Sequence, residues 1–181
     1  MRPPPAPEAK PGPGVNGRIE VNRALPPVVV PARVWNELRG HALETRPEEC
    51  CGLLLGAEMG RFELAERCRN EMTRLNREDP ATYPRSGGEG FHMNEVDYVR
   101  IQEQAKSQGL QVAGVYHSHV GAGAYFSELD QAFALQPLFP FPDADHVVIS
   151  VVEPGVRDLA VFRRVPGTRD FEGRALAPGT P

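Results

Sequence analysis

The sequence predicts a single-domain α/β protein in which helices flank a mixed β-sheet. Short apolar runs bounded by glycine or proline, such as residues 50–56 and 146–152, are typical of buried strands. Segments with apolar residues at helical spacing separate these runs. The chain has 181 residues, of which 40% are hydrophobic and 24% charged, and this is enough for one core of that kind.

The first half of the folded part is expected to contain one strand, one helix and a pair of strands. Residues 28–30 form a short β-prone run, and the apolar spacing that follows predicts a helix over residues 31–45. The apolar run at residues 50–56 predicts a buried strand, and residues 62–69 predict a second strand. Residues 70–90 are polar and rich in proline and glycine, which predicts a long loop.

The second half is expected to add two helices and three strands. The predicted helices span residues 94–109 and about 127–136, and each begins at an Asn or Ser that can cap it. Buried strands are predicted at residues 112–116, 146–152 and 159–165. Strands that alternate with helices in this order favour a mixed sheet with helices packed against it.

Both ends of the chain are predicted to lie outside the domain. Residues 1–18 are proline-rich and predict a disordered tail, the domain itself is expected over residues 19–166, and residues 167–181 predict a flexible C-terminal tail. The N-terminus lacks the apolar core of a signal peptide, so a cytoplasmic location is expected. The three cysteines are interpreted as small apolar residues on strands, because an odd count with an adjacent pair does not suit a disulfide framework.

The charge balance argues against two classes of partner. The net charge is −4, from 20 basic and 24 acidic side chains, and no basic run is present. Binding to nucleic acid or to an anionic membrane surface is therefore not expected. No apolar run approaches the ~18 residues that a membrane-spanning helix needs.

Two histidines and an aspartate are spaced so that all three can bind one metal ion. In an extended segment residues i and i+2 point to the same side, so His117 and His119 can present their imidazoles together. Two glycines then allow a turn, and Asp130 falls in the first turn of the next helix, where Ser127 and Asp130 also fit a helix capping box. Two imidazoles and one carboxylate leave a fourth tetrahedral position for water, which is typical of catalytic zinc.

A zinc hydrolase also needs a general base that does not bind the metal. Glu48 and Glu49 stand just before the buried strand at residues 50–56. Only one of them can face the site, because neighbouring residues of an extended segment point in opposite directions. The residues alone leave the choice between these two glutamates open.

These segments resemble the motifs of one family. His117-x-His119-x7-Ser127-x-x-Asp130 resembles the JAMM motif of the MPN+ metallopeptidases, also called JAB-domain proteins, and the similarity to bacterial members extends over about residues 28–165. Upstream, the segment from Glu49 to Gly56 is similar to the strand that carries the catalytic glutamate of that family. The resemblance implies the JAMM/MPN fold, which is cytidine-deaminase-like, and it selects Glu49 over Glu48.

The resemblance also implies a chemistry. His117, His119 and Asp130 would bind Zn²⁺, Glu49 would act as general acid/base, and Ser127 would hydrogen-bond the oxyanion. Substrates would carry an amide or isopeptide bond made by the C-terminus of a ubiquitin-like or sulfur-carrier protein, while the oligomeric state stays open, a homodimer included. The alternatives are a non-enzymatic MPN scaffold subunit and a zinc hydrolase of small amides.

Two positions depart from the family pattern. Bacterial relatives commonly have proline after the second histidine and before the motif serine, where this chain has Val120 and Phe126. Because neither position supplies a ligand, we expect a locally different loop and an intact site. No second insertion of the kind that eukaryotic deubiquitinases use to grip ubiquitin is visible in the sequence, which argues against specificity for ubiquitin itself.

Overall fold

A seven-stranded mixed sheet forms the centre of the structure, a computed structural model that describes residues 17–179. The elements, in chain order, are β1 (Val28–Val30), α1 (Ala32–Glu44), β2 (Cys51–Gly56), β3 (Leu64–Cys68), α2 (Met72–Glu78), α3 (Glu95–Ser107), β4 (Gln111–Val120), α4 (Glu128–Ala134), β5 (Asp145–Val152), β6 (Gly155–Arg164) and β7 (Phe171–Pro178). The strands lie in the order β1-β7-β6-β5-β4-β2-β3. Only β1·β7 and β4·β5 are parallel pairs, and the others are antiparallel.

The sheet is covered by helices on both faces, which explains why β2 reads as one continuous apolar run. Leu54 packs in a core cluster with Leu38 and other α1 side chains. Leu53 belongs to a second cluster that includes Ile101 of α3. Because successive side chains of a strand point to opposite faces, α1 and α3 lie on opposite sides of the sheet.

The spacing of apolar residues in the sequence predicted most of the helices and strands correctly. The fold class is confirmed, and the two long helices begin and end within two residues of the predicted bounds. The Asn94 side chain caps α3 by accepting a hydrogen bond from the Asp97 amide, as the sequence predicted. All three cysteines are free and buried, and Cys51 and Cys68 lie on strands as expected.

Two predictions about irregular segments were wrong. Residues 70–90 contain the helix α2, whose seven residues are too few to show a clear apolar period and include one buried side chain, Met72. Residues 167–181 were predicted as a flexible tail, but β7 occupies residues 171–178 and pairs with both β6 and β1. β7 pairs with the preceding strand β6 in a hairpin and with the distant strand β1 on its other side, so its stability depends on pairing that the composition of residues 167–181 does not show.

A short N-terminal strap, residues 17–22, lies against the turn that precedes α4. The predicted tail at residues 1–18 falls outside the described residues except for its last two. Ile19 exchanges two backbone hydrogen bonds with Phe126, at 2.8 and 2.9 Å, and the Gln131 side chain donates to the Gly17 carbonyl at 2.8 Å. Phe126 is fully buried and stacks on Phe162, so this turn is held by its backbone and by its side chain.

No helix between residues 17 and 179 has both the length and the apolar character needed to cross a bilayer.

Candidate metal centre

The two motif histidines lie near the end of β4. His117 and His119 are both buried, and their Nε2 atoms are 3.2 Å apart. Ser118, between them, points to the other side of the strand, where its Oγ accepts a hydrogen bond from the Cys50 amide at 2.8 Å. The alternation expected of an extended segment therefore places both imidazoles on one face, and Ser118 supports the junction between β2 and β4.

Asp130 approaches both imidazoles from the first turn of α4. Its Oδ1 lies 3.2 Å from His117 Nε2, and its Oδ2 lies 3.4 Å from His119 Nε2. Ser127 caps the helix by accepting from the Asp130 amide, while its own amide and hydroxyl donate to Asp130 Oδ2 at 2.9 and 2.6 Å. This capping box orients the carboxylate toward the histidines.

The turn between β4 and α4 fixes the orientation of His119. Gly121 adopts a φ of 76°, which favours glycine, and the chain turns back at this point. The Gly123 carbonyl lies 2.9 Å from His119 Nδ1. Because a carbonyl only accepts, Nδ1 carries the proton, and in the neutral ring the Nε2 lone pair is left to face Asp130 and His117. Ser150 Oγ donates to the Ala122 carbonyl at 2.6 Å and holds the same turn against β5.

The electrostatics of Asp130 and His119 favour positive charge at the point where their side chains meet. Burial by itself raises the pKa of Asp130, but the charges and hydrogen bonds of His117 and His119 outweigh it and hold that pKa well below its usual range. Burial lowers the pKa of His119, but the hydrogen bond and charge of Asp130 outweigh this effect and raise it overall.

The donor atoms have the chemistry and spacing that a tetrahedral zinc ion requires. Ligands about 2.0–2.1 Å from one tetrahedral centre lie roughly 3.3–3.4 Å from one another. The two Nε2 atoms are 3.2 Å apart, and each lies 3.2–3.4 Å from one of the two oxygens of Asp130. This is the one group of three or more such side chains within residues 17–179 whose donor atoms come close enough together to hold a metal ion.

Glu49 lies beside this group, immediately before β2. In the register of β2 and β4, Cys51 is opposite His117, and continuing it by two residues places Glu49 opposite His119 on the same face. The Glu49 side chain is buried, with 6% exposure. Burial has the largest effect on the pKa of Glu49 and raises it, electrostatic interaction with His117 and His119 offsets part of the rise, and the charge of Asp130 adds to it. A buried carboxyl group next to donors that could hold a metal ion is suited to accept and release a proton.

Glu48, the alternative that the residues left open, is held elsewhere. Its Oε1 accepts a hydrogen bond from the Thr73 hydroxyl at 2.6 Å, on the side of α2. The three remaining histidines lie outside the group: His41 contacts Tyr116, His92 lies against Tyr83, and His146 packs among phenylalanine rings.

Two features of the site carried no clear signal in the sequence. The Phe91 ring stacks on His117 with a centroid distance of 4.5 Å and covers that imidazole. The side-chain amide of Asn70 donates a hydrogen bond to the backbone carbonyl of Glu49. Phe91 stood in a segment that resembled the family, but neither its stacking nor any role for Asn70 followed from spacing, because both contacts depend on the path of residues 70–93.

Comparisons with known proteins agree with this geometry. The family model described as prokaryotic homologues of the JAB domain matches residues 31–164. The chain is 29% identical over 140 residues to proteins named CysO-cysteine peptidase from Mycobacterium bovis and Mycobacterium tuberculosis. That alignment covers 77% of this chain and 84% of each relative.

Solved structures share the fold. The solution structure of protein DSY2949 from Desulfitobacterium hafniense is similar with a TM-score of 0.60 at 20% identity, covering 83% of this chain and 92% of that one. The solution structure of a protein from Salinibacter ruber is similar with a TM-score of 0.53 at 26% identity, covering 81% and 88%. Both the strap and β7 lie outside the segment that matches the family.

Proposed function

Because the chain belongs to the family of prokaryotic homologues of the JAB domain, we propose that it is a zinc-dependent peptidase. The bond that it hydrolyses is the amide bond after the C-terminus of a sulfur-carrier or other ubiquitin-like protein. The observation that carries the proposal is the convergence of three metal-binding side chains beside the buried carboxyl group of Glu49. The relatives named CysO-cysteine peptidase support a peptidase activity.

The metal would be bound by His117, His119 and Asp130. When bound, zinc supplies a Lewis acid that polarises the substrate carbonyl and lowers the pKa of water. The Gly123 carbonyl keeps the Nε2 atom of neutral His119 unprotonated, and the Ser127 amide keeps the Asp130 carboxylate turned toward the two histidines. These contacts prepare the ligands before the metal arrives, which is the usual task of groups around a metal site.

Glu49 would move the proton. Its carboxylate would accept a proton from the attacking water and donate it to the leaving amine, so that one side chain serves as base and then as acid. The raised pKa that burial gives this carboxyl group brings it closer to the pH at which it can do both. Its place opposite His119 puts it on the face where the substrate carbonyl would lie.

Ser127 would stabilise the oxyanion that forms on the substrate carbonyl oxygen. For this its hydroxyl proton must turn away from Asp130 Oδ2, to which it now donates at 2.6 Å. The Ser127 amide, which donates to the same oxygen at 2.9 Å, would then keep the carboxylate in place. One residue can in this way orient a ligand and assist the reaction.

The test compares two neighbouring glutamates in protein purified with its metal. Glu49→Gln is expected to retain stoichiometric zinc and to lose about 10²–10⁴-fold in turnover of a carrier protein joined to an amino acid. Glu48→Gln, the matched control, removes a carboxylate one residue away that is bonded to Thr73, and should retain activity. Full activity of Glu49→Gln, or zinc well below one per chain in the wild type, would refute the proposal.

A further inference from the structure

The segment that ends at Glu49 lies outside the regular hydrogen bonding between β2 and β3. Their register ends at Cys51 opposite Cys68, and continuing it by two residues places Glu49 opposite Asn70. No backbone ladder is formed at that position. In place of a backbone hydrogen bond, the Asn70 side chain donates from its Nδ2 to the Glu49 carbonyl at 3.0 Å.

Asn70 also ties the following loop to the same point. Its Nδ2 lies 3.1 Å from the Gly90 carbonyl and 3.4 Å from the Gly87 carbonyl, and its Oδ1 accepts from the amides of Met72 and His92 at 2.9 and 3.0 Å. The Gly87 carbonyl in turn accepts from the Glu49 amide at 2.7 Å. Both backbone polar groups of Glu49 are therefore bonded to Asn70 or to a residue that Asn70 binds.

We propose that Asn70 is the residue that positions Glu49 for catalysis. The inference rests on the proposed role of Glu49 as general base. A general base works only within hydrogen-bond reach of the proton that it accepts, and a misplacement of about 1 Å can cost roughly 10²-fold in rate. On the β4 side, Glu49 lies opposite His119. On the β3 side, the side-chain amide of Asn70 holds the backbone of Glu49. Asn70 touches no reacting atom and is a positioning residue.

The decisive variant changes the donors of Asn70 and keeps its acceptors. Asn70→Asp can still accept from the Met72 and His92 amides, but it replaces the Nδ2 donor by an oxygen that repels the Glu49 carbonyl. Asn70→Ser removes the amide without adding charge and serves as the second variant should the aspartate perturb folding. Asn76→Asp is the matched control, because Asn76 Nδ2 donates to the Tyr83 carbonyl at 2.6 Å in the same region without contacting Glu49.

The expected result is a selective loss of kcat. Asn70→Asp and Asn70→Ser should lower kcat about 10–100-fold, with KM changed less than about threefold and zinc content unchanged. Asn76→Asp should lower the melting temperature comparably and leave kcat within about twofold of the wild type. Equal kcat losses in the Asn70 and Asn76 variants, or wild-type kcat in both Asn70 variants, would overturn the inference.

A second measurement is independent of the reaction. Amide hydrogen exchange at Glu49, whose N–H donates to Gly87, is expected to accelerate at least about tenfold in both Asn70 variants and to stay at the wild-type rate in Asn76→Asp. Unchanged exchange in the Asn70 variants would refute the positioning of Glu49 by Asn70. If the wild type shows no peptidase activity but exchange accelerates as expected, the proposed function fails while the structural role of Asn70 holds.

Discussion

Replacing His41 should make the stability of the protein less sensitive to acid. His41 is 7% exposed, and its Nδ1 lies 2.9 Å from the hydroxyl oxygen of Tyr116, the residue before His117. Burial and the nearby charge of Arg67 lower the pKa of His41 from 6.5 to about 4. The folded protein therefore keeps this imidazole neutral at a pH where the unfolded chain already binds a proton.

The sign and size of the effect follow from that difference. Because the pKa is depressed in the folded state, the contribution of His41 to stability is present above pH 6.5 and is lost as the pH falls toward 4. Between about pH 7 and about pH 5, proton binding by the unfolded chain lowers the free energy of unfolding by about 1–2 kcal/mol, where the lower figure allows for solvent screening.

The assay is urea denaturation of metal-free wild type and His41→Gln at both pH values. The Gln side chain can still bond the Tyr116 hydroxyl, but it does not titrate. The fall in unfolding free energy between the two pH values should be smaller in the variant by about 1–2 kcal/mol, and other titrating groups cancel in this comparison. The same acid sensitivity in both proteins would refute the conclusion that His41 is buried in its neutral form.

Three further predictions concern the candidate metal centre. Asp130→Asn should weaken zinc binding by at least about 100-fold in a chelator competition while the circular dichroism stays unchanged, and wild-type affinity would contradict its role as a ligand. Ser127→Ala should cost about 1 kcal/mol of stability through the lost cap and lower turnover by about 10²-fold or more, whereas unchanged turnover would leave Ser127 with the capping role alone. A chain that begins at residue 23 should bind zinc about tenfold more weakly than one that begins at residue 17, because removing Ile19 releases the Phe126 backbone next to Ser127. Equal zinc affinities of these two chains would show that the strap does not support the site.

Phe126, one of the two departures from the family pattern, is held by packing and by backbone pairing in this fold. The position that is commonly proline in bacterial relatives holds an aromatic ring that packs against Phe162 and Phe171, while its backbone pairs with Ile19. Phe162 lies within the segment that matches the family. Phe171, which belongs to β7, and Ile19, which belongs to the strap, lie outside that segment. The turn before Ser127 is thus held by packing on β6 and β7 and by backbone pairing with the strap, and not by the restricted φ of a proline.

Sequence by itself determined the features that depend on spacing along one segment. The i, i+2 pair His117 and His119, the cap and carboxylate at Ser127 and Asp130, and the periodic helices α1 and α3 are consequences of local backbone geometry, so their patterns were readable. The family resemblance then selected Glu49, a choice that local alternation left open between two neighbours.

Only the tertiary structure decided what depends on contacts between distant segments. The strand register brings Glu49 opposite His119, a hydrogen-bonding side chain at Asn70 takes the place of a missing ladder, and β7 is stable because it lies between two other strands. These arrangements arise when separate parts of the chain pair or pack, and such pairing leaves little trace in the composition of either partner.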